Sequence, residues 1–152
     1  MKSINETSRI ILYNLWKKLK KRNFYSRPEN LPSLPDSVDL VQNRAISIRQ
    51  PYAEQILRGT KLFEYRSILT RVRGRVYIYA SLKPARSSNK QVNNEEGVLP
   101  TGVIVGTVEI VDCTHRWFGG YRWHLKKPVR LEQSLKPENH PQPVWFTPFK
   151  EG

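Results

Sequence analysis

An α+β fold built on a small, partly open β-barrel with short flanking helices is what this sequence predicts. Two observations carry that reading. Several short runs alternate apolar and polar residues with the period of a half-buried strand, and residues 102–112 form a longer run rich in Val and Ile. Helical punctuation after residue 44 is confined to short segments, chiefly the one that starts at Pro51. Many short strands with few helices favour a sheet curled on itself.

The elements follow in order. Residues 1–25 read as a basic amphipathic helix. Ser3 and Glu6 have capping-box spacing, and Ile11, Leu12, Leu15, Trp16 and Leu19 form one apolar stripe. Lysines and an arginine at 17–22 suit the negative end of the helix dipole. Residues 26–44 hold Pro28, Pro32 and Pro35 and read as an extended Pro-rich linker. The barrel domain then occupies 45–149.

Within the barrel, 45–49 is a strand with Ile46 and Ile48 on one face. Pro51 suits the first turn of a short helix ending near Arg58, with Gly59 as its C-terminal cap. Residues 62–67 alternate, so Phe63 and Tyr65 share one face and Glu64 and Arg66 the other. In 75–81, Val76, Ile78 and Ala80 oppose Tyr77, Tyr79 and Ser81. Residues 84–97 are polar and Asn-rich, hence loop or weak helix. Gly106 marks a bulge or a close approach inside the 102–112 strand. Residues 129–131 and 144–149 are weaker strand candidates, with Trp145 and Phe146 suited to closing the barrel.

Charge narrows the function classes. The chain has 152 residues and a net charge of +13, shared between residues 1–44 and the rest. Such a balance points to a polyanion, with nucleic acid first and an anionic membrane surface second. A negative mean hydropathy argues against a multi-span membrane protein, and no run is long enough for an integral membrane span. The apolar run at 10–12 is also too short for a signal-peptide core. One cysteine excludes an intramolecular disulfide framework and fits a reducing compartment, so a cytoplasmic location is expected.

Candidate chemistry concentrates between residues 45 and 81. Arg49 and Gln50 end a strand just before a helix begins, where backbone N–H groups favour phosphate; alternatively Gln50 caps the helix. Tyr52 either stacks on a base or packs the first helical turn. Glu64 and Arg66 share a face, as a structural ion pair or as a base-reading carboxylate held by its arginine. Lys61 meets phosphate or, if desolvated, serves as a general base. Further on, Arg116, Trp117, Arg122, Trp123, Lys126, Lys127 and Arg130 interleave cations with aromatics, which suits a nucleic-acid surface with at least one Trp buried. His115, His124 and His140 lack paired ligand spacing, and Cys113 with His115 does not make a zinc site, so neither metal nor cofactor is expected. Phosphate-loop, dinucleotide and nucleophile-elbow motifs are absent from the sequence.

The order of four pieces is specific in combination. Ser47-Ile48-Arg49-Gln50-Pro51-Tyr52-Ala53 comes first, then Gly59 through Arg66, then Ala80-Ser81, then Gly102 through Gly106. Over roughly residues 45–149 the chain resembles the ASCH domain family of the PUA-like superfamily. The resemblance implies a compact β-barrel with a cleft beside its first helix. It also implies binding of RNA or a modified base, since PUA-like domains generally bind such ligands. Some small relatives look like amidohydrolases of acetylated cytidine nucleosides, and a ribonuclease activity has been attributed to others.

For the amidohydrolase chemistry the family motif carries a lysine followed three residues later by a nucleophilic threonine. Here Lys61 matches and Glu64 stands in the threonine's place. An enzyme would therefore rely on Lys61, Glu64 and Glu109. As a binding module, the chain would use Arg49, Gln50, Tyr52, Lys61, Glu64, Arg66 and Ser81 on RNA or another single-stranded nucleic acid. A third reading is a protein-interaction module that docks through the N-terminal helix.

Overall fold

The computed structural model describes residues 41–86, 93–94 and 97–151. The helix expected over 1–25, and all of the 26–44 linker except 41–44, lie outside the described residues. Among the described residues, eight strands and one α-helix follow: β1 (Ala45–Ile48), α1 (Tyr52–Leu57), β2 (Phe63–Arg66), β3 (Gly74–Ala80), β4 (Asn93–Asn94), β5 (Gly97–Val98), β6 (Val103–His115), β7 (Tyr121–Leu135) and β8 (Trp145–Phe146). Six of the strands make one sheet in the order β2-β7-β6-β3-β1-β8. Its pairs are antiparallel except β1 with β3.

The sheet curls into a half-barrel. Arg66 on the β2 edge reaches the backbone carbonyl of Ser47 on β1, near the opposite edge, with Nη2 donating at 2.5 Å. Trp123 of β7 stacks on Trp145 of β8 at 5.3 Å between centroids and 15° between planes. These contacts span the barrel mouth, so β2 and β8 are brought close without a shared ladder.

Period-two patterning explains the two sides of the sheet. Val76, Ile78 and Ala80 join Ile46, Ile48, Val108 and Trp123 in the inner core, where α1 adds Ala53 and Ile56. Tyr77 and Tyr79 alternate with them and pack on the outer side with Val41, Ala45, Ile104 and Phe146. Both tyrosines meet phenylalanine edges, Tyr77 on Phe149 and Tyr79 on Phe146. The end of the Pro-rich stretch docks here too: Gln42 N–H donates to Arg75 O at 3.0 Å, and Asn43 exchanges hydrogen bonds with the Phe149 backbone.

Two expectations need correction. The weak strand at 129–131 is the middle of β7, which runs for fifteen residues. Its signal is masked because charged side chains punctuate it and Pro128 interrupts the pattern. The proline is accommodated by a bulge: Thr107 pairs with Val129 and Glu109 with Lys126, leaving Lys127 and Pro128 opposite Val108 alone. Lys127 takes φ 46° there. Secondly, the 84–97 segment holds a pairing the sequence did not suggest: Asn93–Asn94 pairs with Gly97–Val98 as a small separate ladder, while Arg86 near its start is in a 3-10 turn. No helix among the described residues is long and apolar enough to cross a membrane.

Candidate nucleic-acid interface

A cleft of about 510 Å³ opens between α1, the 59–62 connection and the β2 edge. Local geometry builds it. Gly59 ends α1 at φ 74°, a left-handed conformation that glycine adopts without strain. Thr60 and Lys61 then both donate their N–H groups to Gln55 O, at 3.0 and 3.1 Å. This tight return sets Lys61 over the helix it has just left. Its Nζ lies 5.6 Å from the Tyr52 ring centroid and 5.0 Å from that of Tyr65.

Glu64 forms the floor. It is buried, on the inner face of β2, and paired across the ladder with Trp123. Lys61 Nζ stands 3.3 Å from its Oε2 and Arg66 Nε 3.1 Å from its Oε1. The Arg66 Nε–H is near enough for charge pairing but is not aligned as a hydrogen bond, so that buried atom has no hydrogen-bond partner. Arg66 is held by Ser47 O and by the Trp123 face 5.9 Å from its guanidinium carbon. Lys61 Nζ also donates to Phe63 O. Trp123 is fixed in turn by its Nε1–H donating to Ile68 O at 3.1 Å. Two cations therefore compensate one carboxylate that can only accept hydrogen bonds in its ionised form.

A second cavity of about 370 Å³ lies behind the same wall, which Lys61, Leu62 and Phe63 share. Its floor is apolar, made by Ile56, Val108 and Leu125.

The structure thus brings Tyr52, Lys61, Glu64 and Arg66 together. Gln50 lies beneath them as a brace. It is fully buried, its Oε1 accepts from the Glu54 N–H at 3.0 Å, and its Nε2 donates to Pro100 O at 3.0 Å. The helix start offers no free anion site: Tyr52 and Ala53 N–H groups donate to Arg49 O, and Gln50 caps the next. Of the two alternatives for Gln50, the cap is the one its contacts make. Arg49 is exposed at the end of β1. Ser81 is half-buried beside it, its N–H donating to Ile48 O at 2.9 Å. Glu109 is apart from the cleft. It alternates with the core residues Val108 and Ile110, and so faces outward, where Lys127 Nζ is 3.5 Å away. The Thr60 hydroxyl, the one closest in sequence to Lys61, donates to Gln55 O at 3.1 Å.

Two contributors escape sequence reasoning. Tyr65 sits on the face opposite Glu64, yet it lines the cleft because β2 is an edge strand around which the cleft wraps. Trp123 backs Arg66 because β7 pairs with β2 and sets Trp123 opposite Glu64, on the face that Arg66 shares. Cys113 and His115 have partners other than a metal: Cys113 Sγ accepts from Thr70 N–H at 3.4 Å, and His115 packs edge-on to Tyr121.

A curled six-stranded sheet with one short helix at its mouth, and a charged, aromatic cleft beside that helix, is the architecture of a small PUA-like domain. The ASCH domain family model matches residues 46–140, and the chain belongs to that family. No curated protein matches the chain.

Proposed function

We propose that this protein binds single-stranded RNA and takes one unpaired nucleotide into the cleft beside α1. The observation that carries the reading is the Glu64 carboxylate, buried between Lys61 and Arg66 on the floor of a cleft rimmed by two partly exposed tyrosines. A carboxylate in that position accepts hydrogen bonds from the amine or imine N–H groups on a base edge. Tyr52 offers a stacking face, and base–aromatic stacking is worth roughly 1–3 kcal/mol. Arg49 and Lys61 supply positive charge for the backbone phosphates. RNA is read most often at unpaired bases, because their edges and faces are free. Membership of a family generally associated with RNA supports the same reading. The single unpaired cysteine suits a reducing compartment, and we place this binding in the cytoplasm.

The test is fluorescence anisotropy of a random single-stranded RNA across a salt series, with wild type and a Tyr52→Ala/Lys61→Ala double variant. Arg66 is left intact because it also holds the barrel seam. The variant is expected to bind about tenfold more weakly at low salt, with the gap narrowing as salt rises. Its plot of log affinity against log salt should be shallower by about 0.7, the share of one phosphate contact on a single strand. Superimposable curves would assign the attraction to the basic exterior and remove the cleft from the account.

A further inference from the structure

The β6–β7 hairpin ends in an exposed aromatic pair. Trp117 is 91% exposed and Phe118 66%. The turn that carries them is held by Arg116 N–H donating to Gly120 O at 3.0 Å and Gly119 N–H donating to Arg116 O at 3.1 Å. Gly119 and Gly120 both have left-handed φ, at 101° and 76°. A side chain at Gly120 would strike the Arg66 carbonyl, its Cβ meeting that oxygen at 2.9 Å. The hairpin tip is thereby packed against the end of β2 rather than projecting alone.

That placement joins the tip to the cleft. The Arg116 guanidinium carbon lies 4.6 Å from the Tyr65 ring centroid and 4.3 Å from that of Phe118. Phe118 meets Trp117 edge-to-face at 6.0 Å. On the other side Tyr65 is over Lys61, and Lys61 is over Tyr52. Aromatic and cation therefore alternate from the helix as far as Phe118, and Trp117 extends the row by one ring. Every ring on this path is partly open to solvent, Tyr52 at 37% and Tyr65 at 46% being the least so.

We propose that this path is a track for single-stranded RNA of about four nucleotides, near the lower end of single-strand site sizes. In it the cleft holds one nucleotide, and Trp117 and Phe118 stack the bases that follow. The inference rests on the cleft reading above and extends it. Flat exposed rings match base faces, which every nucleotide presents. Cations spaced between the rings match the phosphates that join the bases. The net charge of +13 favours a polyanionic occupant. The same tip is a poorer match to a lipid bilayer, because a guanidinium lies against Phe118 itself and would have to be desolvated along with the ring.

The experiment compares wild type with Trp117→Ala/Phe118→Ala. One probe is a labelled mixed-sequence RNA octamer, and the other is a mixture of nucleoside 5′-monophosphates. Both side chains are exposed, so melting temperatures of the two proteins should coincide, and that is checked first. Wild type is expected to bind the octamer much more tightly than mononucleotide. The variant should lose about tenfold or more on the octamer and keep its mononucleotide affinity within about twofold. Equal octamer affinity for the two proteins overturns the track and leaves the cleft standing. A wild type that binds the octamer no tighter than mononucleotide does the same. A wild type that binds neither probe overturns the cleft reading and the track with it. Vesicles containing phosphatidylserine form the last arm. Tip-dependent vesicle binding combined with unchanged octamer binding would assign the pair to a membrane surface and overturn the proposal.

Discussion

A buried carboxylate is costly unless its charge is compensated, and the two acidic residues of this region meet that requirement differently. Glu64 is flanked by Lys61 and Arg66 while remaining in the wall of an open cleft. Glu54 on α1 is closed off in a structural cluster. Arg130 of β7 grips it with two hydrogen bonds, at 2.7 and 2.9 Å, and Arg58 adds a third at 2.8 Å. The hydrogen bonds from Arg130 are the main cause that holds the Glu54 carboxyl below its ordinary value of 4.5, against the opposing effect of burial. A depressed folded-state pKa stabilises the fold above the ordinary glutamate value. That contribution disappears as pH falls below 4.5 and through the folded-state value. Urea denaturation of wild type should therefore show a stability loss below that pH. Glu54→Gln should be less stable than wild type at pH 7, and the gap should narrow at acid pH. A constant gap would separate Glu54 from the acid limb.

At the scale of elements, the junction of α1 with β6 and β7 decides how closely the helix sits and so where the cleft opens. Gly106 is the point of closest approach. A Cβ there would come within 2.4 Å of Leu57 Cδ2 and 2.5 Å of the Val129 carbonyl oxygen. Leu57 could swing away, but the backbone carbonyl belongs to β7 and could not. Gly106→Ala is expected to cost about 1–3 kcal/mol and to lower the melting temperature by several degrees. An unchanged melt would show that the β7 backbone yields there. Sequence alone offered a bulge or a close approach at this glycine, and both occur: the register shifts between Ile104 and Gly106 on either side of β6, and α1 and β7 come near. The alternation in β3 was equally legible, since each face carried its own side-chain type. β7 was not, because Lys126, Lys127 and Pro128 break the period at a bulge that only the partner strand reveals. In the cleft, period two placed Glu64 with Arg66. It could not show that β2 is an edge or that Trp123 lies behind Arg66, since both depend on which strands pair and in what register. The role of Gln50 was also beyond it, because cap and ligand contact ask for the same residue at the same position.

For the whole molecule, attraction and choice reside in different places under the proposed RNA reading. A net charge of +13 draws polyanions whatever their sequence, with affinity that falls as salt rises. Selection among bases needs a group that distinguishes their edges, and among the cleft residues Glu64 is the acidic one. The most direct measurement is the ratio of affinities for short single-stranded RNAs that differ at one base, at fixed physiological salt, for wild type and Glu64→Gln. The substitution keeps the side-chain shape while replacing an acceptor-only carboxylate by an amide that also donates. Wild type should distinguish its preferred base by about tenfold or more, the order of discrimination a good hydrogen-bonded base contact provides. Glu64→Gln should bring the bases within about twofold of one another while total RNA affinity holds or rises, because a negative charge has been removed. The same ratio in both proteins, or no preference in wild type, would contradict the account.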